Sequence, residues 1–410
     1  MLEILILLFA VIALLSIALE EVIHLNKAKS TLFLGCLSWL VLFIAAKQSG
    51  ETAKIQLMLN ENLLDIASLW LFLMATMTFV AYLNARGMVS ELVRRIMPGE
   101  LTLRQLTVLL GGFALMLSMI CDNITATLVG IGVVTAFQLE VKERIRLCVL
   151  IVFAVNSGGV MLITGDVTTL MIFTAGHVTI LQLLSLFLPS VAGVAFLIAV
   201  FCMRGGNRKI TASSAIHNVE WLDVLIASIF IGTIVATIGL NLAYQIPPVL
   251  TFLFGLSMMF MVGGIVHTYN QQVHLLEYVR EIQFDTLMFF LGILLLVGAL
   301  KEIGVLVWFT EFYMAVDPNI SSFAVGVISA VLDNVPLTAA LLKAEPQLTN
   351  TQWLSLTYAA GVGGSLLVIG SAAGIVAMSK VRELTFAQYA RYLPYLMVAY
   401  SLGYALTLVL

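Results

Sequence analysis

Charge is what this chain has least of. Only 10% of its 410 residues are Asp, Glu, Lys or Arg, against about 25% in an ordinary soluble domain, while 61% are hydrophobic. That combination excludes soluble globular and disordered classes. A basic excess is missing too: 20 Lys and Arg stand against 23 Asp and Glu, a net charge of -3, so no nucleic-acid-binding domain is expected. Cysteine is scarce, and Cys36, Cys121, Cys148 and Cys202 lie singly in or beside apolar runs, with no CxxC pair and no Cys/His cluster. They read as reduced packing residues, and no cofactor is expected. Turn-bounded segments of alternating polarity are absent as well, which excludes a transmembrane β-barrel.

What fills the chain is apolar runs, each able to cross a hydrocarbon core with roughly 20 residues of helix. They lie near 2–23, 31–46, 63–84, 147–175, 181–203, 223–243, 249–266, 284–301, 353–378 and 392–410. The first lacks a basic leader region and carries Glu3, so it is expected to be a retained helix. The expected fold is an all-α polytopic membrane protein with about 10 to 11 crossing helices.

Two stretches, 105–139 and 320–349, are apolar on both sides of a polar centre, Cys121-Asp122-Asn123 and Leu332-Asp333-Asn334-Val335-Pro336. Each is expected to be a re-entrant hairpin with its tip at mid-membrane. With both counted as non-crossing, most of the 20 basic residues, from Lys27 through Arg391, fall on one face. Lys47, Lys54, Lys301 and Lys343 fall on the other, so the positive-inside rule places both termini outside.

The chain also repeats itself. Thr31-Leu32-Phe33-Leu34-Gly35 resembles Thr251-Phe252-Leu253-Phe254-Gly255, the segments around Gly87 and Gly304 match, and Asp122-Asn123 pairs with Asp333-Asn334. The stretch Asn156 to Asp166 matches Gly361 to Ser371. Four matches in one order predict two repeats, 1–203 and 223–410, joined by a cytoplasmic linker over 204–222 and inverted with respect to each other, a transporter signature.

A charge at bilayer depth costs roughly 2.5 to 3.5 kcal/mol on insertion scales and is by default functional. Asp122 and Asp333 sit at the expected hairpin tips, and Asp166 in a run over 147–175 broken by Ser157-Gly158-Gly159 and Thr164-Gly165-Asp166-Val167-Thr168-Thr169. Unwound glycine backbone with Ser and Thr hydroxyls offers hard oxygen ligands for a small hard cation. The mate over 353–378 keeps the glycines but has Ser371 where a carboxylate would be. A buried Asp-Asn pair also serves as a helix cap, and both roles can hold at once. Thr125, Thr127, Ser118 and Ser329 are weaker candidates, because Ser and Thr back-bond in membrane helices. Glu20, Glu21, His24, His177, His217, His267 and His274 read as interfacial or loop residues. An intramembrane aspartyl protease is disfavoured, since Ile163-Thr164-Gly165-Asp166 lacks the first glycine of a GxGD motif.

Together Cys121-Asp122-Asn123-Ile124-Thr125-Ala126-Thr127-Leu128, Asn156-Ser157-Gly158-Gly159, Thr164-Gly165-Asp166-Val167-Thr168-Thr169 and Leu332-Asp333-Asn334-Val335-Pro336-Leu337-Thr338 resemble the NhaD-type sodium/proton antiporters of the ion transporter superfamily, over about 31–379. The resemblance implies export of Na⁺, and often Li⁺, in exchange for H⁺, by a non-enzymatic carrier of the bacterial inner membrane. It implies a homodimer formed through scaffold helices in the lipid bilayer. By motif it points to Asp122, Asn123, Asn156, Asp166, Thr168, Thr169, Ser329, Asp333, Asn334 and Ser371. Cys121 departs from relatives that carry an acid there. Of these, Asp122, Asp166, Asn123, Asn156 and Thr168 are expected to hold Na⁺, and Asp333 to be the coupled proton site, with one cluster binding either Na⁺ or protons. The alternative is an anion carrier of the same architecture, for dicarboxylate, citrate or arsenite, against which two acidic tips argue. A channel would share the membrane charges without coupling to a pH gradient.

Overall fold

The computed structural model describes residues 2–18, 26–88, 91, 100–204, 208–211, 220–269, 278–280, 282, 284–305, 307, 311 and 315–410. Glu20, Glu21, His24, His217 and His274 lie outside the described residues. The first half runs α1 (Leu2–Ala18), α2 (Lys27–Ser49), α3 (Thr52–Ala85), β1 (Glu100–Thr102), α4 (Leu103–Ile120), α5 (Asn123–Ala136), α6 (Val141–Gly159), α7 (Val167–Thr174), α8 (Ile180–Ser185) and α9 (Phe187–Arg204). After β2 (Lys209–Thr211), the second half runs α10 (Trp221–Tyr244), α11 (Pro248–Tyr269), α12 (Phe284–Glu302), α13 (Pro318–Ser329), α14 (Asn334–Ala344), α15 (Asn350–Gly363), α16 (Ala372–Lys380), α17 (Phe386–Ala390) and α18 (Leu393–Thr407). This is an all-α polytopic membrane protein. Among the described residues seven helical stretches are long and apolar enough to cross a membrane alone, including α2, α3, α10, α11 and α12. Exposed Phe33, Leu40 and Ile44 on α2, and Phe254 and Met261 on α11, give these helices an apolar outer surface.

Three sequence expectations gain detail from the structure. The run expected over 63–84 is one helix from Thr52 to Ala85, about 51 Å long at 1.5 Å per residue. Its first turns are amphipathic, with Ile55, Asn62 and Ile66 buried, and polar residues between them hid it. The run expected over 181–203 is split at Leu186, the C-cap of α8, where Pro189 of α9 has no N–H to give the preceding turn. The linker expected over 204–222 contains β2, which pairs antiparallel with β1 (Leu101 opposite Ile210). That ribbon, with Arg208 on Glu140 at 3.3 Å and on Glu143 at 3.2 Å, fastens the linker to the base of α4 and α6.

By packing, the helices form two bundles, each drawing on both halves of the chain. In one, α1, α2, α3, α10, α11 and α12 pack together. Its tightest seam is α2 on α12, where Gly35 faces Gly292: a Cβ on Gly35 would lie 2.5 Å from the Gly292 carbonyl oxygen. Small residues permit this approach in membrane helices, and Trp39 Nε1 donates to the Leu295 carbonyl at 2.8 Å across it. At one end of α3, Tyr82 Oη and Arg86 Nε donate to the buried Asp223 of α10 at 2.7 and 2.8 Å, and Arg86 also pairs with Glu220 at 3.0 Å.

The other bundle holds the helix breaks. Here α4 packs on α6 and α13 on α15, while α5 packs on α16 and α14 on α7. The bundles meet where α12 packs on α14. At that boundary, at the end of α3 opposite Arg86, Lys343 of α14 pairs with Asp65 of α3 and Lys301 of α12 with Glu345, both at 2.8 Å. Lys301 holds the Glu345 carboxyl below the ordinary glutamate range. A depressed folded-state value means that this contribution is present above that range and lost as pH falls through the lowered value, so the clasp persists at neutral and alkaline pH.

Candidate functional site

Four short helices begin at one place. Each has a polar side chain as its N-cap: Asp122 for α5, Asp166 for α7, Asp333 for α14 and Ser371 for α16. The reason is local. Each cap follows a break in an apolar run, and its oxygen accepts the N–H groups that a helix start leaves without partners. Asp122 Oδ1 accepts from the Ile124 and Thr125 amides at 3.0 Å each, and its Oδ2 from Thr125 Oγ1 at 2.8 Å. Asp333 Oδ1 accepts from the Val335 amide at 3.3 Å, and Ser371 Oγ from the Gly374 amide at 3.4 Å. The capping role and a place in the site therefore coincide.

Asp166 is the hub. It is 6% exposed, and its Oδ1 accepts from the Thr168 amide at 2.9 Å and from Thr168 Oγ1 at 3.0 Å. Its Oδ2 accepts from Asn123 Nδ2 at 2.8 Å and from Asn334 Nδ2 at 3.2 Å. One carboxylate oxygen thus joins the asparagines of both Asp-Asn tips. Ser118 Oγ donates to Asn123 Oδ1 at 2.7 Å and so fixes which way that amide points. Asn156 donates to Ser371 Oγ at 3.1 Å and to the Val152 carbonyl at 2.8 Å, while its buried Oδ1 has no hydrogen-bond partner.

A cavity of about 290 Å³ opens beside the hub, walled by Asp122, Asn123, Asp166, Asp333, Asn334 and Ser371 together with apolar groups such as Phe289, Phe290 and Met77. Among the candidates read from sequence, those six share the wall, and Asn156 and Thr168 each bond one of them. Thr169 and Ser329 do not line it. Thr169 Oγ1 lies 3.5 Å from the Gly159 carbonyl, and Ser329 Oγ donates to the Ala360 carbonyl at 2.8 Å. Thr127 likewise back-bonds, to the Asn123 carbonyl at 2.7 Å. Among the described residues no three His, Cys, Asp or Glu side chains gather as a metal cage. A cation here meets isolated carboxylates and neutral oxygens.

Glycines bring the breaks onto the tips without intervening side chains. A Cβ on Gly158 would sit 2.1 Å from the Leu115 carbonyl oxygen, and one on Gly165 2.4 Å from that of Ser118. In the second half, Gly363 stands against the Gly326 carbonyl at 2.1 Å and Gly370 against those of Ser329 and Ala330 at 2.6 Å. The same approach is made twice with matched residues.

One residue escaped the sequence reading. Asp285, in the first turn of α12, lies at the cavity and accepts from Asn26 Nδ2 at 2.9 Å. Its signal was an acid opening an otherwise apolar run, which also reads as an ordinary interfacial residue. Its charge draws cations into the mouth. Asp285→Asn is therefore expected to weaken binding of a monovalent cation in the cavity by up to about tenfold in a cation titration of the purified protein. His177 lies in a loop, as expected, where it stacks on Trp353 with ring centroids 4.0 Å apart, and burial lowers its imidazole pKa. His267 falls within α11 instead of a loop.

A family model described as citrate transporter matches residues 2–361. The chain belongs to the citrate transporter family. Similar proteins are the Na⁺/H⁺ antiporter NhaD of Vibrio cholerae, 30% identical over 98% of this chain and 91% of that one, and NhaD of Alkalimonas amylolytica, 30% identical over 95% and 86%. Sodium/proton antiporter 1 of Arabidopsis thaliana is 29% identical over 95% of this chain and 69% of its own. The NhaD-type resemblance thus extends beyond 31–379 into the outer helices of this citrate transporter family member.

Proposed function

We propose that the protein is a secondary transporter exchanging Na⁺, and Li⁺, for H⁺ at the Asp166 centre. The observation that carries this is the charge balance of the cavity. Three carboxylates face four helix N-termini worth about +0.5 each, so with all three ionised the centre keeps a charge of about −1. One monovalent cation or one proton neutralises it. Both cannot bind at once, and competition of this kind is the elementary requirement for exchange.

The citrate reading has the family model's description behind it, but the sign of the cavity opposes it. A polycarboxylate would meet Asp122, Asp166, Asp333 and the acid at the mouth, Asp285. The antiport reading also agrees with the relatives at 30% identity, which are named as Na⁺/H⁺ antiporters. Asp166 and Asp122 are the anionic Na⁺ ligands in this reading. The lone Oδ1 of Asn156, the Thr168 hydroxyl and unwound backbone carbonyls of the 160–166 break complete an oxygen shell, and Asp333 is the coupled proton site. Asn123 and Asn334 orient Asp166 through their amide hydrogens while their chain neighbours hold the tips in place.

The matched glycine approaches and matched helix pairings support two inverted repeats, with the break-bearing bundle moving against the α1–α3 and α10–α12 bundle. The charge asymmetry of the loops supports an inner-membrane orientation with both termini outside, and the exposed face of the α1–α3 and α10–α12 bundle is the surface we assign to a homodimer. No enzymatic step is invoked.

Purified protein in liposomes with an internal pH dye and an acid interior tests this directly. Adding Na⁺ or Li⁺ outside is expected to alkalinise the interior rapidly, K⁺ and citrate much less. No response to Na⁺ combined with citrate-driven proton or Na⁺ flux would overturn the exchange reading in favour of an anion carrier.

A further inference from the structure

The ion cavity has a neighbour on the same two helices. A second cavity, of about 340 Å³, is walled by Ser68 and Phe72 of α3, Leu170 and Thr174 of α7, and Asn241 where α10 turns into α11. Along α3 the two cavities hand over between Phe72 and Leu73, and along α7 between Val167 and Leu170. Along α7 the gap is three residues, roughly 4.5 Å, and along α3 the two linings adjoin. The layer in between is apolar and closed: Phe72 is 2% exposed, Leu73 5% and Leu170 1%. Phe72 is held there by Phe252 of α11, ring centroids 4.7 Å apart.

The two cavities lie toward opposite ends of α3. The ion cavity carries Asp285 and Asn26 and lies toward Arg86, whereas the second lies toward Asp65, which is clasped to Lys343. Its wall is not purely greasy. Thr174 Oγ1 donates its hydrogen to the Leu170 carbonyl at 2.9 Å, leaving oxygen lone pairs for a ligand, and Asn241 directs Nδ2 to the Ile246 carbonyl at 3.2 Å. Oxygen acceptors suit a hydrated cation and give an acyl chain nothing. The volume accommodates about ten waters at ~30 Å³ each, enough for a hydrated ion.

We propose that this second cavity is the far-side ion vestibule, and that Phe72 and Leu170 form the gate between it and the Asp166 centre. The inference rests on the exchange reading above and adds its route. Moving α7 by about one turn along α3 carries Asp166 past Phe72 and exchanges one vestibule for the other. Phe72 and Leu170 act as positioning residues for coupling, since a closed apolar layer is what prevents an ion from crossing while the centre stays still.

The test uses full-length protein in liposomes with the four native cysteines replaced by alanine. Ser68→Cys, Thr174→Cys and Met77→Cys, the last lining the ion cavity, are each treated with a cationic, membrane-impermeant methanethiosulfonate from either face. Expected is modification of Ser68→Cys and Thr174→Cys from one face and of Met77→Cys from the opposite face, at rates differing at least tenfold between faces, with exchange lost relative to each untreated variant. Phe72→Ala is expected to let a pH gradient decay several-fold faster than wild type without Na⁺. Reaction of Ser68→Cys and Thr174→Cys only with a membrane-permeant apolar maleimide, or from the same face as Met77→Cys, overturns the vestibule. Two reporter positions guard against one failing to insert. If wild type exchanges no Na⁺ for H⁺, the function fails, yet face-specific labelling still reports whether two vestibules exist.

Discussion

Asp166→Asn is expected to abolish exchange, with Na⁺-driven alkalinisation falling at least about a hundredfold, equivalent to roughly 2.8 kcal/mol, to the level of empty liposomes. The substitution keeps the shape and removes the charge. Its remaining oxygen can stay on the Thr168 amide, 2.9 Å from Oδ1 in the native protein, so α7 keeps its cap. The new amide group then faces Asn123 Nδ2 and Asn334 Nδ2, which in the native protein donate to Oδ2 at 2.8 and 3.2 Å. Three N–H donors meet where one acceptor joined them, and at least one tip must release. The centre also drops from about −1 to about 0, leaving no excess charge for a cation. Lost exchange in protein that still unfolds cooperatively, with a melting temperature lowered only as far as a released tip accounts for, supports the ion-binding role. Exchange retained within a factor of two would remove Asp166 from the mechanism and leave it as a cap.

The breaks were readable from sequence because they violate hydropathy. Asp122-Asn123, Asp333-Asn334 and Gly165-Asp166 sit inside apolar runs, and a charge or an unwound glycine there is costly unless it caps a helix start, serves the function or does both. What those residues do to one another was not readable. The bonds from Asn123 and Asn334 to Asp166 span 43 and 168 positions, and an asparagine offers both a donor and an acceptor. Its expected service as an ion ligand and its observed service as a donor to Asp166 look identical in one dimension. Thr169 and Ser329 share motifs with site residues yet bond carbonyls away from the cavity, a difference of direction that a motif match along the chain does not carry. The first turns of α3 and the β1–β2 ribbon were missed for opposite reasons. The former are too polar for a hydropathy window, and a strand of three residues such as Lys209–Thr211 is too short to show a period. Better signals did exist for helix starts: Thr102 with Gln105, Thr179 with Gln182 and Thr349 with Gln352 all form capping boxes, as the T-x-x-Q spacing announces.

Gly165→Ala is expected to remove exchange and to lower stability by about 1 to 3 kcal/mol. The added Cβ would lie 2.4 Å from the Ser118 carbonyl oxygen, 2.7 Å from Gly159 Cα and 2.8 Å from the Gly159 carbonyl oxygen. All three neighbours are backbone, so no side chain can swing away. Relief has to come from separating the 160–166 break from the end of α4. That displacement is transmitted at once, because Asp166 follows in the chain and Ser118 is the donor that orients Asn123 at 2.7 Å. A site of this kind tolerates only about half an ångström of error, so exchange is lost even where the protein still folds. Gly112 in α4 provides the control: nothing lies within 4 Å of its virtual Cβ, and in a helix Ala is favoured over Gly by about 1 kcal/mol. Gly112→Ala is therefore expected to match or exceed wild type in melting temperature and to keep full exchange. If Gly165→Ala behaved like Gly112→Ala in both measurements, the close seating of break on tip would not be what holds Asp166 in register.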